Sequence, residues 1–323
     1  MAKNSNLHSA KAGKNDEFYT QLRDIENELA HYKEHFKGKT VFCNCDDPEW
    51  SNFWKYFSLN FDFLGLNRLI ATHFETDKQS YKLEMWRDEA GVHTDIKTLE
   101  QNGDFRSPES IELLKQADIV VTNPPFSLFR EYIAQLMEYD KKFIILGNMN
   151  AVTYKEFFPL IKENKVWAGF SFNKTMEFVM PDSYELKGKA YVDAEGKKHG
   201  FVPAIAWYTN LDIKKRHEEL DLIEKYSPDK YPKYDNYDVI EVGKVNDIPK
   251  DYDGVMGVPI TFLDKYSPEQ FEIVGIACGN SWANYTETLK ALNFNPEIKY
   301  GGGLGSGVIN GKGCYARILI RRK

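Results

Sequence analysis

One segment constrains the fold of this chain more than any other, because a short apolar run passes directly into two consecutive prolines. Asp118–Thr122 (DIVVT) is rich in β-branched residues and is typical of a strand buried on both faces. Asn123–Phe126 (NPPF) must end that strand, because proline lacks the N–H that a sheet ladder requires. A helical segment follows to about Glu138. A strand, a rigid turn and a helix in this order predict an α/β unit.

The same alternation of strands and helices continues along most of the chain. We predict strands at Thr40–Asn44, Leu69–Phe74, Asp118–Thr122, Phe143–Leu146, Val166–Gly169 and Val202–Asn210. We predict helices near residues 22–36, 111–115, 126–138 and 155–163 and one beginning at Pro48, whereas residues 76–100 are polar and lack a clear period. This pattern predicts a mostly parallel, doubly wound sheet, in which ligands bind at the carboxyl ends of the strands.

The pattern changes after about residue 200. Residues 226–260 are rich in Tyr, Asp, Pro and Lys, and the chain closes on an apolar run at Tyr315–Ile320. We therefore expect three parts, which are a flexible basic tail at residues 1–14, a main α/β domain at 15–215 and an irregular α+β region at 216–323.

Composition limits the kind of protein and the compartment. The 323 residues carry a net charge of −6, which argues against a surface coated with DNA-binding charge but allows a local basic groove. Both ends are basic, as Lys3, Lys11 and Lys14 and then Arg321 and Arg322 show. There is no apolar run long enough for a membrane span or a secretion signal. The four cysteines show no paired framework, so we expect a reducing, cytoplasmic compartment. The seven histidines and four cysteines show no metal-ligand spacing, so we expect no metal.

The Asn123–Phe126 motif suits the alkylation of an aromatic amine. Such an amine is a poor nucleophile because its lone pair is delocalised into the ring. The side-chain oxygen of Asn123 and the carbonyl of Pro124 can accept its two N–H groups and localise that pair. Pro124 and Pro125 hold the backbone rigid, and Phe126 offers a face for stacking. A rigid turn that merely ends a strand is the alternative interpretation.

Acidic and aromatic residues follow the other predicted strands at the same edge. Cys45 and Asp46 follow the first strand, where no glycine occurs between Gly38 and Gly65, so the usual glycine-rich turn is missing. A carboxylate there could bind an ammonium group or could simply cap a helix. Glu75 follows the second strand and could accept from ribose hydroxyls. Asp104 could accept from an adenine amine and Phe105 could stack on it, or both could belong to a loop turn.

Several long strings of residues carry a specific resemblance. They are Asn15–Thr20 (NDEFYT), Cys43–Pro48 (CNCDDP), Gly103–Ser107 (GDFRS), Asp118–Phe129 (DIVVTNPPFSLF), Trp207–Leu211 (WYTNL), Tyr231–Tyr237 (YPKYDNY), Gly254–Leu263 (GVMGVPITFL) and Tyr315–Ile320 (YARILI). Over nearly its whole length the chain resembles the EcoRI-type adenine-specific DNA modification methylases.

This resemblance implies a Rossmann-like, S-adenosylmethionine-dependent methyltransferase fold. Residues 15–215 would form the catalytic domain and residues 216–323 the target-recognition region. The methyl acceptor would be N6 of an adenine that leaves the stack of duplex DNA. The resemblance makes Asn123–Phe126 the catalytic motif and places Phe18, Tyr19 and Thr20 near the methionine end of the cofactor. A cognate restriction endonuclease is a possible partner, and no oligomer is required.

Two other functions remain open at this point. Asn-Pro-Pro-aromatic motifs also occur in enzymes that methylate RNA bases or protein amides, so the acceptor could be either. The chain could also be a DNA-binding relic that no longer transfers a methyl group. The base sequence that is recognised does not follow from the residues.

Overall fold

The computed structural model describes residues 19–45, 47–75, 79–180, 185–186, 188–202, 204–279, 286–298 and 305–323. The chain divides into two compact units. The first comprises the residues up to Met149 together with Gly169–Asp212, and the second comprises Asn150–Ala168 with Ile213–Lys323. Phe18, Asp46 and the predicted tail at residues 1–14 lie outside the described residues. The assignment of functions to 15–215 and 216–323 stays a prediction.

The first unit contains the larger set of strands and helices. Its strands are β1 (Tyr19–Thr20), β2 (Thr40–Cys43), β3 (Arg68–Thr72), β4 (Tyr81–Asp88), β5 (Gly91–Thr98), β6 (Ile119–Thr122), β7 (Lys142–Asn148), β9 (Met176–Met180), β10 (Tyr191–Val192), β11 (Lys198–Val202) and β12 (Ile205–Thr209). Its helices are α1 (Leu22–Leu29), α2 (Lys33–Phe36), α3 (Asn52–Leu59), α4 (Pro108–Gln116) and α5 (Phe129–Glu138).

Seven strands of this unit form its main sheet, in the order β5-β4-β3-β2-β6-β7-β12. The four central strands, β3, β2, β6 and β7, pair in parallel, and the strands at both flanks pair antiparallel. The central strands are buried over nearly their whole length, which explains why they are continuous apolar runs without a period of two. This confirms the predicted α/β class with a parallel centre to the sheet.

In the first unit, the structure corrects three details of the sequence analysis. Residues 81–98, predicted to be irregular, form the β4–β5 hairpin, and the sequence hides it because β4 is only half buried and carries polar residues throughout. The predicted helix at 22–36 is broken into α1 and α2 near Ala30. Helix α3 begins at Asn52, and not at Pro48, because Ser51 caps it.

A second, smaller sheet of the first unit has the order β1-β9-β11-β10. Thr20 on β1 pairs with Phe178 on β9. The side-chain amide of Asn52 donates to the Thr20 carbonyl at 2.8 Å, so β1 is also tied to the start of α3. The strand thus fixes the backbone of two residues that the family resemblance places near the cofactor.

The second unit is a separate α+β body. Its elements are α6 (Phe158–Lys162), β8 (Trp167–Ala168), β13 (Val239–Glu241), β14 (Val255–Pro259), β15 (Phe271–Ala277), α7 (Thr286–Ala291), β16 (Val308–Ile309), β17 (Lys312–Gly313) and β18 (Arg317–Arg322). A sheet in the order β13-β14-β18-β15 carries its core, in which Tyr234, Tyr237 and Leu319 are buried. The predicted strand at Val166–Gly169 is shorter than expected, at two residues.

Candidate active site

The carboxyl ends of three parallel strands bring the predicted residues to one edge of the main sheet. Cys43, the last residue of β2, pairs with Ala71 on β3, so the segments after these strands start side by side. On the other flank of β2, the Cys45 N–H donates to the Thr122 hydroxyl at 3.2 Å. Cys45 therefore lies next to the start of the Asn-Pro-Pro-Phe motif.

The motif itself forms a tight turn between β6 and α5. Phe126–Leu128 is a single 3₁₀ turn, and the Leu128 N–H donates to the Pro125 carbonyl at 3.0 Å. Among the described residues, no backbone N–H bonds to the Pro124 carbonyl. Pro124 is buried and Asn123 and Phe126 are half buried. Backbone hydrogen bonding within the described residues thus occupies the Pro125 carbonyl but not the Pro124 carbonyl.

Helix α5 is anchored closely against β7. Phe129 is buried, and a Cβ built on Gly147 would lie 2.5 Å from its ring, so only glycine allows this approach. The sequence analysis missed Gly147, although a glycine inside an apolar strand is the signal for such a contact. The anchor fixes the helix that follows directly on the motif.

The turn after β2 satisfies its own backbone donors. The Asp47 carbonyl accepts from the Trp50 and Ser51 N–H groups, and the Asp47 carboxylate accepts from the Glu49 N–H. The Ser51 hydroxyl accepts from the N–H groups of Phe53 and Trp54. A glycine-rich turn would instead point such donors at a phosphate. This edge therefore suits a ligand without phosphate groups.

The β4–β5 hairpin, which the sequence analysis missed, fixes the Asp47 carboxylate. The Tyr81 hydroxyl donates to Asp47 at 2.8 Å, and His73 Nε2 lies 3.5 Å from the same carboxylate. The His73 and Tyr81 rings stack with centroids 5.0 Å apart. Burial, together with the neighbouring Asp47, raises the pKa of Tyr81, so its hydroxyl stays protonated and remains a donor at neutral pH.

The end of β3 meets the loop that carries Asp104 and Phe105. The Glu75 N–H donates to the Asn102 carbonyl at 3.0 Å. Gly103 has a φ of +76°, and a Cβ there would lie 1.9 Å from the His73 carbonyl oxygen. Glycine is therefore required for this close approach. The backbone bond places Glu75 beside the loop that carries Asp104 and Phe105.

Asp104 is held by an arginine that the sequence analysis did not single out. Arg106 donates to both carboxylate oxygens of Asp104, at 2.9 and 2.8 Å, and to Glu131 on α5 at 3.0 Å. Hydrogen bonding from Arg106 lowers the pKa of Asp104, which keeps its carboxylate ionised. A carboxylate offers about four acceptor positions, so Asp104 can still accept from a ligand.

Several buried polar atoms near this edge have no hydrogen-bond partner among the described residues, and they indicate whether the residues could bind S-adenosylmethionine. Within the described part of the chain, they include the hydroxyls of Thr20 and Thr72 and the Nδ1 atom of His73. Buried polar atoms are normally satisfied, so such groups favour an absent polar partner. The described residues of this edge offer neutral and acidic acceptors and a Phe ring, which fit a nucleoside with an ammonium group.

The α/β fold with a parallel centre and polar side chains at the carboxyl edge is consistent with a methyltransferase fold. The family model described as "Adenine-specific methyltransferase EcoRI" matches residues 6–323, which is nearly the whole chain. The chain therefore belongs to the EcoRI family of adenine-specific methyltransferases.

Three relatives match over nearly their whole lengths. The type II methyltransferase M.EcoRI of Escherichia coli is 48% identical over 100% of this chain and 98% of its own length. The type II methyltransferases M.MgeORF184P of Mycoplasma genitalium and M.MpnI of Mycoplasma pneumoniae are each 41% identical over 98% of both chains. No solved structure matches the chain.

The described residues contain neither a candidate metal centre nor a candidate membrane span. In that part of the chain there is no group of three or more His, Cys, Asp or Glu side chains that could hold a metal ion. No described helix is long and apolar enough to cross a membrane.

Proposed function

We propose that this chain transfers a methyl group from S-adenosylmethionine to N6 of an adenine that has swung out of duplex DNA. The observation that carries the proposal is the Asn123–Phe126 turn, which stands at the carboxyl edge beside Cys45 and in which no described backbone N–H bonds to the Pro124 carbonyl. The full-length match to adenine-specific methyltransferases gives independent support.

The motif supplies two acceptors and a stacking face for the adenine. The Asn123 side-chain oxygen and the Pro124 carbonyl accept the two N–H groups, which localises the nitrogen lone pair. When bound, S-adenosylmethionine supplies an electrophilic methyl group on a sulfonium. The amine nitrogen, held between these two acceptors, would take up that methyl group and lose one proton. The contribution of the protein is alignment and electrostatic stabilisation.

Cofactor binding is assigned to the groups around the ends of β2 and β3. Glu75 would accept from the ribose hydroxyls, and Asp104 and Phe105 would receive the adenine of the cofactor. Thr20 and Cys45 would lie near its methionine end, with Tyr19 beside them and with Phe18 and Asp46 contributing from outside the described residues. The buried Thr20 hydroxyl supports this assignment, because it has no partner among the described residues.

Recognition of the DNA sequence is assigned to residues 216–323, and capture of phosphates to Lys and Arg side chains of residues 212–250 and of the two basic ends of the chain. A flipped adenine costs a few kcal/mol of unstacking, which contacts to the DNA backbone and bases would offset. We propose a cytoplasmic setting in which no oligomer is required and a cognate restriction endonuclease acting on the same site is a possible partner.

Asn123→Ala tests the function. We expect the purified wild type to move labelled methyl groups from S-adenosylmethionine to unmethylated bacterial DNA, and the variant to bind the same DNA while transferring at least about a hundredfold more slowly. Transfer assays and gel-shift binding measure the two quantities.

Each alternative function predicts a different pattern in this experiment. Label that enters RNA or protein, and not DNA, would contradict the proposal and favour the first alternative. A wild type that binds DNA but transfers no methyl group to any acceptor would support the relic.

A further inference from the structure

We propose that Thr122 and Tyr132 are positioning residues that hold the Asn123–Phe126 turn in line with the cofactor. They do so through hydrogen bonds to two adjacent residues, Asn44 and Cys45. The inference rests on the proposed function, because it concerns the alignment of the same methyl transfer.

The first bond lies immediately before the catalytic turn. The main-chain ladder between β2 and β6 pairs Val41 with Ile119 and Phe42 with Val120. Beyond that ladder, the Cys45 N–H donates to the Thr122 hydroxyl at 3.2 Å. Thr122 is completely buried and precedes Asn123 directly. This side-chain bond therefore extends the tie between the strands up to the residue before the motif.

The second bond lies just after the turn, on α5. Tyr132 is completely buried and its hydroxyl donates to the side-chain oxygen of Asn44, which is itself 2% exposed. The Tyr132 ring meets Phe105 edge to face, with centroids 5.0 Å apart. A phenylalanine would fill the same space and keep this ring contact. The hydroxyl is therefore needed for the bond to Asn44 and not for the packing.

The two bonds connect the residues on either side of the motif to the same dipeptide, Asn44-Cys45. Thr122 comes before Asn123–Phe126 and Tyr132 after it, whereas Asn44 and Cys45 are consecutive in the chain. Cys45 is also a proposed cofactor contact. The two bonds therefore fix the position of both ends of the turn relative to the residues that would bind the cofactor. A misplacement of about 1 Å can slow a reaction by about a hundredfold. Loss of either bond should therefore slow transfer without weakening cofactor binding.

Four variants and one rescue test the inference in the full chain. Thr122→Val and Tyr132→Phe remove one bond each, and Thr122→Ser restores the hydroxyl. Thr209→Val and Tyr32→Phe are matched controls, because each removes a buried hydroxyl of the same unit, bonded to Phe143 and Glu28 respectively. The measurements are the single-turnover rate on unmethylated bacterial DNA, the calorimetric Kd for S-adenosylmethionine and the melting temperature.

We expect Thr122→Val and Tyr132→Phe to transfer about tenfold more slowly or worse, with a Kd within about twofold of the wild type. Thr122→Ser and both controls should keep the wild-type rate. Rates equal to those of the controls, or a loss of rate that follows a loss of cofactor affinity, would overturn the inference. If Tyr132→Phe does not fold, Thr122→Val against Thr122→Ser decides alone. A wild type that methylates no DNA would fail before any variant is compared and would overturn the proposed function itself.

Discussion

At the scale of single residues, the geometry of the candidate site depends on side chains and glycines that lie outside the Asn123–Phe126 motif. The hydrogen bonds from Cys45 to Thr122 and from Tyr132 to Asn44 join residues 77 and 88 positions apart. Local spacing carries no information about such pairs. Sequence reasoning therefore predicted roles for Asn123–Phe126, Glu75 and Asp104, whose neighbours along the chain are informative, and could not find the residues that contact their segments from a distance.

Gly103 gives a prediction at this scale. Gly103→Ala places a methyl group 1.9 Å from the His73 carbonyl oxygen at a φ of +76°, so the loop must move away from β3. We expect a loss of about 3 kcal/mol in the free energy of unfolding, from the left-handed backbone and from overpacking. We also expect weaker binding of S-adenosylmethionine. Urea unfolding and calorimetry measure both.

Gly38→Ala is the matched control for this change. Gly38 has a φ of +71° and nothing within 4 Å of a built Cβ, so only the backbone strain of about 1 kcal/mol should remain. Equal losses in the two variants would show that the Gly103 contact does not shape the site.

At the scale of elements, burial decided which parts of the fold could be read from the sequence. Strands β2, β6 and β7 are continuous apolar runs because helices and neighbouring strands cover them. The β4–β5 hairpin is half exposed and polar, so it carries no comparable signal although Tyr81 on β4 reaches the site. The break between α1 and α2 was also missed, because the apolar spacing continues across it.

A buried carboxylate on α1 ties that helix to the segment after Gly169. Glu28 accepts from the Tyr32 hydroxyl at 2.8 Å and from the Phe170 and Ser171 N–H groups at 2.7 Å. Burial raises the pKa of Glu28 above its ordinary 4.5. The folded protein therefore keeps a proton over a pH range in which the unfolded chain has lost it.

This shift gives a prediction for the pH dependence of stability. The stabilisation from the proton on Glu28 is complete below about pH 4.5 and is lost as the pH rises through the higher folded pKa. Glu28→Gln cannot titrate, so its free energy of unfolding should fall less than that of the wild type over this range. Urea titrations at a series of pH values measure the difference. Glu26→Gln, on the exposed face of the same helix, should keep the wild-type profile, and identical profiles for all three proteins would contradict the assignment.

At the scale of the whole molecule, a protein with a net charge of −6 must bind a polyanion through local basic groups. Several basic side chains of the second unit already face carboxylates. Arg321 lies 3.7 Å from Glu272, and Arg322 lies 3.0 Å from Asp253. Exposed ion pairs of this kind are worth little, about 0–1 kcal/mol, so a phosphate can replace the carboxylate.

The proposed phosphate contacts predict a steep salt dependence. The logarithm of the binding constant for duplex DNA should fall linearly with the logarithm of salt concentration. Arg321→Gln with Arg322→Gln should make that slope shallower by about 2, whereas Lys115→Gln, an exposed lysine paired with Glu112 on α4, should leave it unchanged. A flat salt dependence in the wild type would contradict phosphate contacts altogether.

The most direct test of the central claim is to map the methylated base. The purified protein is incubated with unmethylated bacterial genomic DNA and S-adenosylmethionine, and the product is sequenced by a method that identifies N6-methyladenine, with Asn123→Ala as the matched blank. The proposed function predicts N6-methyladenine at one position of one short sequence motif, and none with the variant. Genomic DNA without N6-methyladenine after incubation with folded, cofactor-binding protein would contradict it.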